Sequence, residues 1–314
     1  NSHSIAKNLS HVERATSRLA SLPLLLIFTI AGALNVLAFA PFGWWPLQIV
    51  LLASLFGFIS RTSSTKRSAL IGWAYGFGWS ACGVYWLFIS MHRYGGMPAW
   101  MAALAVALLA LLLGAFPALA IAGATWLRQR WSAKPTVALL MIFPALWSLA
   151  EWLRGWVFTG FPWITTGYAH TASPLAGFAP VVGVYGLGWL AALIAGCLAL
   201  LPSKKLPLGL AVSILAIGFG LKAVDWTQVN GQPISVRLLQ GNVPQEMKFE
   251  TEQIVAALSR YYDRIEQTPA DLIATPETAI PLLTHQLPPD YLPRLSHYAQ
   301  QSGSHVVLGI PVSD

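Results

Sequence analysis

The chain has 314 residues, of which 55% are hydrophobic and only 10% charged, with 14 Trp, two Cys and a formal net charge of +7. Soluble domains carry roughly 25% charged residues, so an ordinary soluble globule is excluded and an integral membrane protein is indicated. The basic balance does not point to nucleic acid, because most Lys and Arg sit in short loops between apolar runs, where membrane orientation accounts for them.

A membrane-crossing helix needs about 20 apolar residues. Seven runs answer to this, at 19–39, 43–60, 68–91, 98–127, 136–153, 178–201 and 206–224. The first has a basic flank and an Ala38-Phe39-Ala40 pattern resembling a signal-peptidase site. It is long for a signal segment and Pro41 follows directly, so it is read as a retained helix. The chain begins with Asn, which points to processing or truncation at its start.

Alternate loops divide sharply by charge. One set carries Lys7, Arg14 and Arg18; Arg61, Lys66 and Arg67; Arg128, Arg130 and Lys134; and Lys204 and Lys205, while the other carries Arg93, Arg154 and Lys222. The positive-inside rule makes the richer set, and with it the amino terminus, cytoplasmic. An odd number of crossings then puts everything after residue 225 outside, in a periplasm or its equivalent.

Within the apolar half, Gly72-x-x-x-Gly76 reads as close helix packing. Gly186-Leu-Gly188-Trp-Leu-Ala191 matches a dinucleotide fingerprint by letters, but no strand precedes it and it is set aside. Cys82 and Cys197 both fall in apolar runs and read as inert core residues without a disulfide. His92 and His170 lie at the outer face and read as interfacial residues rather than ligands. Ionisable residues inside an apolar run are costly and therefore conspicuous. Glu151 and Arg154, three apart, share a helical face, either as a local ion pair or as part of a lipid site. The glycine-rich aromatic stretch that follows, through Trp163 to Tyr168, suits an interfacial anchor or a grip on a phospholipid headgroup and its chains.

The tail differs in character. Residues 1–230 hold 14 Lys and Arg against Glu13, Glu151 and Asp225, whereas residues 231–314 hold 5 against 9 Asp and Glu. Strands are expected at 234–240, 271–275 and 305–310, with helices at 250–266 and 289–301. The first helix carries Ile254, Leu258, Tyr261, Tyr262 and Ile265 on one stripe. Strand and helix alternate as at the start of an α/β layered domain, and about 84 residues are too few to finish one. Glu277 follows the second strand between Pro276 and Pro281, as a solvated turn carboxylate or as a base held at a strand end. There is no His-Glu-x-x-His, Cys-x-x-Cys or Gly-x-Ser-x-Gly, so no metal site and no serine nucleophile is predicted.

Six stretches in order carry a family resemblance: Leu37-Ala-Phe-Ala-Pro41, Gly95-Gly-Met-Pro98, Glu151-Trp-Leu-Arg-Gly-Trp156, Thr159-Gly-Phe-Pro-Trp163, Gln240-Gly-Asn-Val-Pro-Gln245 and Pro276-Glu-Thr-Ala-Ile-Pro281. Together they resemble the bacterial apolipoprotein N-acyltransferases. The resemblance implies a polytopic helical membrane domain of about seven spans over 1–230 and the first part of a periplasmic nitrilase-like (α-β-β-α) domain over 231–314. It implies transfer of a fatty acyl group from a phospholipid, through a Cys thioester, to the amino-terminal amine of a diacylglyceryl-cysteine lipoprotein. No cofactor is implied, and a monomer is expected.

By the resemblance, Glu277 is the general base of a Glu, Lys and Cys trio, and Trp163 and Phe249 match family aromatics; with Arg154 and Tyr168 of the aromatic stretch they are the residues expected to bind substrate. Neither the Lys nor the Cys has a counterpart here, so the sequence reads as an amino-terminal fragment, expected to be inactive alone. Thr275 stands where the family commonly has Trp, and Phe249 replaces another Trp, keeping the apolar face and losing an N–H donor. Two other classes compete. A transporter would show an inverted repeat and broken helices along a polar path. A tethered nitrilase-type amidase would need one span, not seven.

Overall fold

The computed structural model describes residues 21–242 and 251–312. The chain divides into two compact units, Asn1–Thr227 and Gln228–Asp314.

Long uncharged runs become helices because only a helix satisfies its own backbone donors and acceptors without water. In the first unit these are α1 (Ser21–Leu34), α2 (Trp45–Ile59), α3 (Thr65–Gly83), α4 (Ala99–Arg130), α5 (Pro135–Arg154, with one π-turn at Ala138–Ile142), α6 (Ala179–Ala199) and α7 (Leu206–Leu221). Among the described residues, three helices are long and apolar enough to cross a membrane: α4, α5 and the stretch Pro174–Ala199 that contains α6. Leu22–Ala38, Trp45–Ile59 and Leu206–Leu221 are apolar but shorter. The third apolar run divides after Gly83, where Val84 leaves helical geometry, and resumes as a short helix Trp86–Ile89 and a π-turn Ser90–Tyr94.

Small residues let these helices approach. A Cβ on Gly32 would lie 1.9 Å from the Tyr75 carbonyl oxygen, and one on Gly78 would lie 1.9 Å from that of Thr29, so α1 and α3 meet backbone to backbone. The Gly72 and Gly76 pair packs on α4 in the expected manner, against Pro117, Ile121 and Gly114. Aromatic rings fill the space between α2, α3 and α5. Trp79 stacks on Trp147 with ring centroids 5.9 Å apart and planes at 5°, and Phe56 packs on both Trp147 and Phe143. Leu26, Ile30, Leu104, Leu108, Leu119 and Phe219 point outward and are exposed, an apolar exterior that suits lipid rather than water.

Cys197 is buried as expected, but Cys82 is exposed on α3, because the face of α3 that packs inward is set by Tyr75, Gly76 and Trp79. His170 also departs from the interfacial reading. It is fully buried, with Nε2 3.0 Å from Gln48 Oε1 and Nδ1 3.3 Å from Ser173 Oγ, so its polarity is spent inside the protein.

The second unit is a three-stranded parallel sheet in the order β1 (Val236–Leu238), β2 (Leu272–Ala274), β3 (His305–Val307), with α8 (Thr251–Glu266) and α9 (Tyr291–Ser302) as the crossovers. Val236 pairs with Leu272 and Leu272 with His305. The stripe on α8 is the buried one: Tyr261 and Ile265 join Ile273, Ile280, Tyr291 and Leu295 in a single core, with Leu258 and Tyr262 packed at its edge. Asp271 closes the start of the sheet, its Oδ2 accepting from both the amide and the hydroxyl of Ser235 at 2.7 Å. Those two bonds, the hydroxyl's first, hold the Asp271 carboxyl below its ordinary range.

Candidate functional site

At the carboxy-terminal end of α5 the chain turns back on itself around one carboxylate. Glu151 Oε1 accepts from the Thr166 amide and from the Thr166 hydroxyl, each at 2.8 Å, and the same hydroxyl accepts from Trp147 Nε1 at 3.0 Å. Arg154 donates through Nη2 to Thr165 Oγ1 at 3.2 Å and lies 3.7 Å from Glu151 Oε1, and its guanidinium sits 5.7 Å from the Trp79 ring. The Arg154 carbonyl accepts from the Phe161 amide at 2.8 Å. Glu151 and Arg154 are only 5% and 4% exposed.

Residues 155–165 therefore form a closed loop fastened at both ends. Its turn needs unusual backbone: Phe158, Thr159 and Ile164 all have positive φ, and Gly160 at φ 88° sits so close to Gly155 that a Cβ would lie 2.1 Å from that carbonyl oxygen. The loop turns Trp156, Phe158 and Trp163 outward, and Trp163 stands 6.4 Å from Trp86 and 5.3 Å from Phe161, centroid to centroid. Tyr168 is exposed as well. Of the substrate-facing candidates in this unit, Trp163 and Tyr168 are thus accessible, while Arg154 is enclosed by protein and holds the loop rather than facing outward. Thr165, Thr166 and Trp147 were not foreseen. The only sequence signal for them is the pair of hydroxyls just beyond the Phe161-Pro162-Trp163 turn.

In the second unit, the segments after β1 and β2 face each other across a cleft of about 240 Å³. Gln240 and Asn242 line one side, Glu277 and Pro281 the other, with Gln253 and Tyr261 from α8. Glu277 is exposed at this cleft. The loop that bears it is fixed by Thr275, whose hydroxyl accepts from the Gly309 amide at 2.8 Å, and by the Ile280 amide, which donates to the Gly309 carbonyl at 3.2 Å. Gly309 has no room for a side chain, since a Cβ would fall 1.9 Å from the Pro276 carbonyl oxygen. Gln240 is held by its own Nε2 on Asn242 Oδ1 at 2.7 Å and by Arg264, which donates to its carbonyl at 2.6 Å. Phe249 lies outside the described residues. Among the described residues no group of His, Cys, Asp and Glu could hold a metal ion.

A family model described as the apolipoprotein N-acyltransferase N-terminal domain matches residues 31–197, more than half of the chain. The chain belongs to the apolipoprotein N-acyltransferase family. It is 45% identical over 291 residues to the apolipoprotein N-acyltransferase of Ralstonia nicotianae, covering 91% of this chain and 55% of that protein. Against the protein of the same name from Nitrosomonas europaea it is 43% identical over 286 residues, 89% of this chain and 56% of the other. Against that of Chromobacterium violaceum it is 40% identical over 303 residues, 95% and 58%. The chain thus spans a little over half the length of these N-acyltransferases, and the match runs through both units.

Proposed function

We propose that this chain forms the membrane part and the opening of the catalytic domain of an apolipoprotein N-acyltransferase. Such an enzyme takes a fatty acyl group from a phospholipid as a Cys thioester and passes it to the amino-terminal amine of a diacylglyceryl-cysteine lipoprotein. On this reading residues 1–230 cross the inner membrane seven times from a cytoplasmic amino terminus. Residues 231–314 begin a periplasmic nitrilase-like domain, and the protein works as a monomer. The outer face of the sheet supports the layered reading, because Val236, Leu238 and Val307 are apolar and exposed, as strands are that receive a second layer.

Glu277 is the general base in this scheme, and the observation that carries it is position. In parallel α/β sheets, ligands bind beyond the carboxyl ends of the strands. Glu277 follows central strand β2 at that end, across a cleft from the Gln240–Asn242 segment that follows β1. Trp163 and Tyr168, exposed on and after the fastened loop, contact lipid, and Phe249 supplies a further apolar contact. Arg154 acts on lipid indirectly, through the loop it holds. Residues 228–314 contain no cysteine, and Cys82 and Cys197 lie in α3 and α6, so neither is assigned as the nucleophile.

The test is transfer of label from acyl-labelled phospholipid to a synthetic diacylglyceryl-cysteine peptide by the full-length gene product in proteoliposomes. Transfer that is abolished by Glu277→Gln supports the assignment. No transfer by the full-length protein, or transfer indifferent to Glu277→Gln, overturns it.

A further inference from the structure

A second site lies at the other end of the helices. A groove of about 790 Å³ runs between α2 and α6, within the size range of ligand sites. Its floor is apolar, with Val50, Ala53 and Phe58 from α2 and Leu198 from α6. The two helices close at small residues, a Cβ on Gly57 meeting that of Ala199 at 3.6 Å. Its mouth is the opposite in character: Arg61 and Arg67 stand on the rim, with Ser64 between them.

Among the described residues the rim leaves those two charges unneutralised. Arg128 at the end of α4 donates to the Ser60 and Thr62 carbonyls, and Gln129 donates to that of Ser63 at 2.6 Å, so the 60–64 loop is held by a different cation. Ser64 caps α3, its hydroxyl accepting from the Arg67 amide at 3.3 Å, which turns the positive end of that helix toward the same mouth. No carboxylate among the described residues pairs with Arg61 or Arg67. The acidic residues of the described first unit are Glu151 and Asp225, and Glu151 is at the far end of α5, occupied with Thr166.

We propose that this groove binds one anionic glycerophospholipid, with an acyl chain along the α2–α6 floor and the headgroup phosphate on Arg61 and Arg67. An apolar trough continuous with a doubly basic mouth matches an amphiphile carrying net negative charge. A free phosphate would use the rim and leave the floor bare. A zwitterionic lipid would bring an ammonium group against two arginines. Because the groove lies at the end of the bundle away from the Glu151 loop, this lipid is not the acyl donor proposed above, and the site stands or falls independently of the transfer reaction.

Native mass spectrometry of the 314-residue chain released from detergent tests it. Phosphatidylglycerol is expected to give a one-to-one adduct and phosphatidylethanolamine to give far less. With each basic group near a membrane surface contributing about 1 kcal/mol, the double variant R61Q/R67Q should retain phosphatidylglycerol about thirtyfold less well. Arg130→Gln, which removes an exposed charge at the same end but off the rim, should change nothing. Ala53→Trp should fill the floor and remove the adduct with both arginines intact. Equal adducts with the two lipids, wild-type retention by R61Q/R67Q, or full displacement by inorganic phosphate would each overturn the proposal. So would a protein dimer without lipid, since the groove would then be covered by a second copy.

Discussion

Glu151 and Thr166 are joined twice, the carboxylate accepting from the amide and from the hydroxyl at the same 2.8 Å. They lie 15 positions apart in sequence, and between them come the end of α5 and the aromatic loop. With the Phe161 amide on the Arg154 carbonyl and the Arg154 guanidinium on Thr165, this buried side chain fixes where Trp156 and Trp163 stand.

Removing that side chain should release the loop. Glu151→Ala leaves the Thr166 amide buried without its acceptor and the Arg154 guanidinium buried without its ion-pair partner, a loss of about 3–5 kcal/mol for a buried pair broken on one side. Glu151→Gln keeps a carbonyl oxygen for Thr166 and should cost less. Hydrogen exchange of residues 156–168 reads the difference: protection at Thr166 should fall in the order wild type, Glu151→Gln, Glu151→Ala. Unchanged protection in the alanine variant would remove Glu151 from this role.

Gly188 on α6 backs directly onto the same carboxylate. A Cβ there would lie 3.1 Å from Glu151 Oε2, tight enough to push on the carboxylate, and 3.5 Å from the Gly167 amide, in ordinary contact. Gly188→Ala is expected to destabilise by about 1–3 kcal/mol, as overpacking does. Gly220→Ala, whose Cβ meets nothing within 4 Å, gains helix propensity without a clash and should be neutral or slightly stabilising. Thermal unfolding of the two variants in one detergent compares them directly.

The helix positions were legible because apolar run length and loop charge are local properties. All seven apolar runs contain a helix, although the third breaks at Val84 and the sixth is interrupted at Gly183, which takes φ 62°. What lay beyond the sequence was the direction of single side chains. Arg154 looked outward from its place at a helix end, but Thr165 and the Phe161 turn enclose it. His170 looked interfacial from its place at the outer face; beside the local Ser173, its other partner Gln48 is 122 positions away, on α2. The strands proved shorter than their apolar patterns, three residues each, since β-rich sequence marks where a strand can form and only pairing fixes where it ends.

Acid should loosen the second unit through Asp271. Its carboxyl is held below the usual range by the Ser235 hydroxyl and amide, so the folded state binds a proton less readily than the unfolded chain. The contribution is present at neutral pH and is lost as pH falls through the ordinary carboxylate range and then through the lowered folded value. Asp271→Asn should reduce stability at pH 7 and flatten the acid limb of the curve. Chemical unfolding followed at several values between pH 3 and pH 7 tests this, and parallel wild-type and variant curves would count against it.

A base that takes a proton from a nucleophile contributes about 10²–10⁴ in rate. Glu277→Gln in the full-length gene product should therefore slow formation of a hydroxylamine-sensitive acyl-enzyme by that order, while phospholipid still binds, because the carboxylate stands at the cleft after β2 and not on the Trp163 loop. The 314-residue chain alone should form no such species, since the cysteines it contains, Cys82 and Cys197, are placed on α3 and α6. Label on the isolated chain that survives Cys82→Ser and Cys197→Ser would point to a nucleophile other than a thiol. Label lost with either substitution would move the chemistry into the membrane helices.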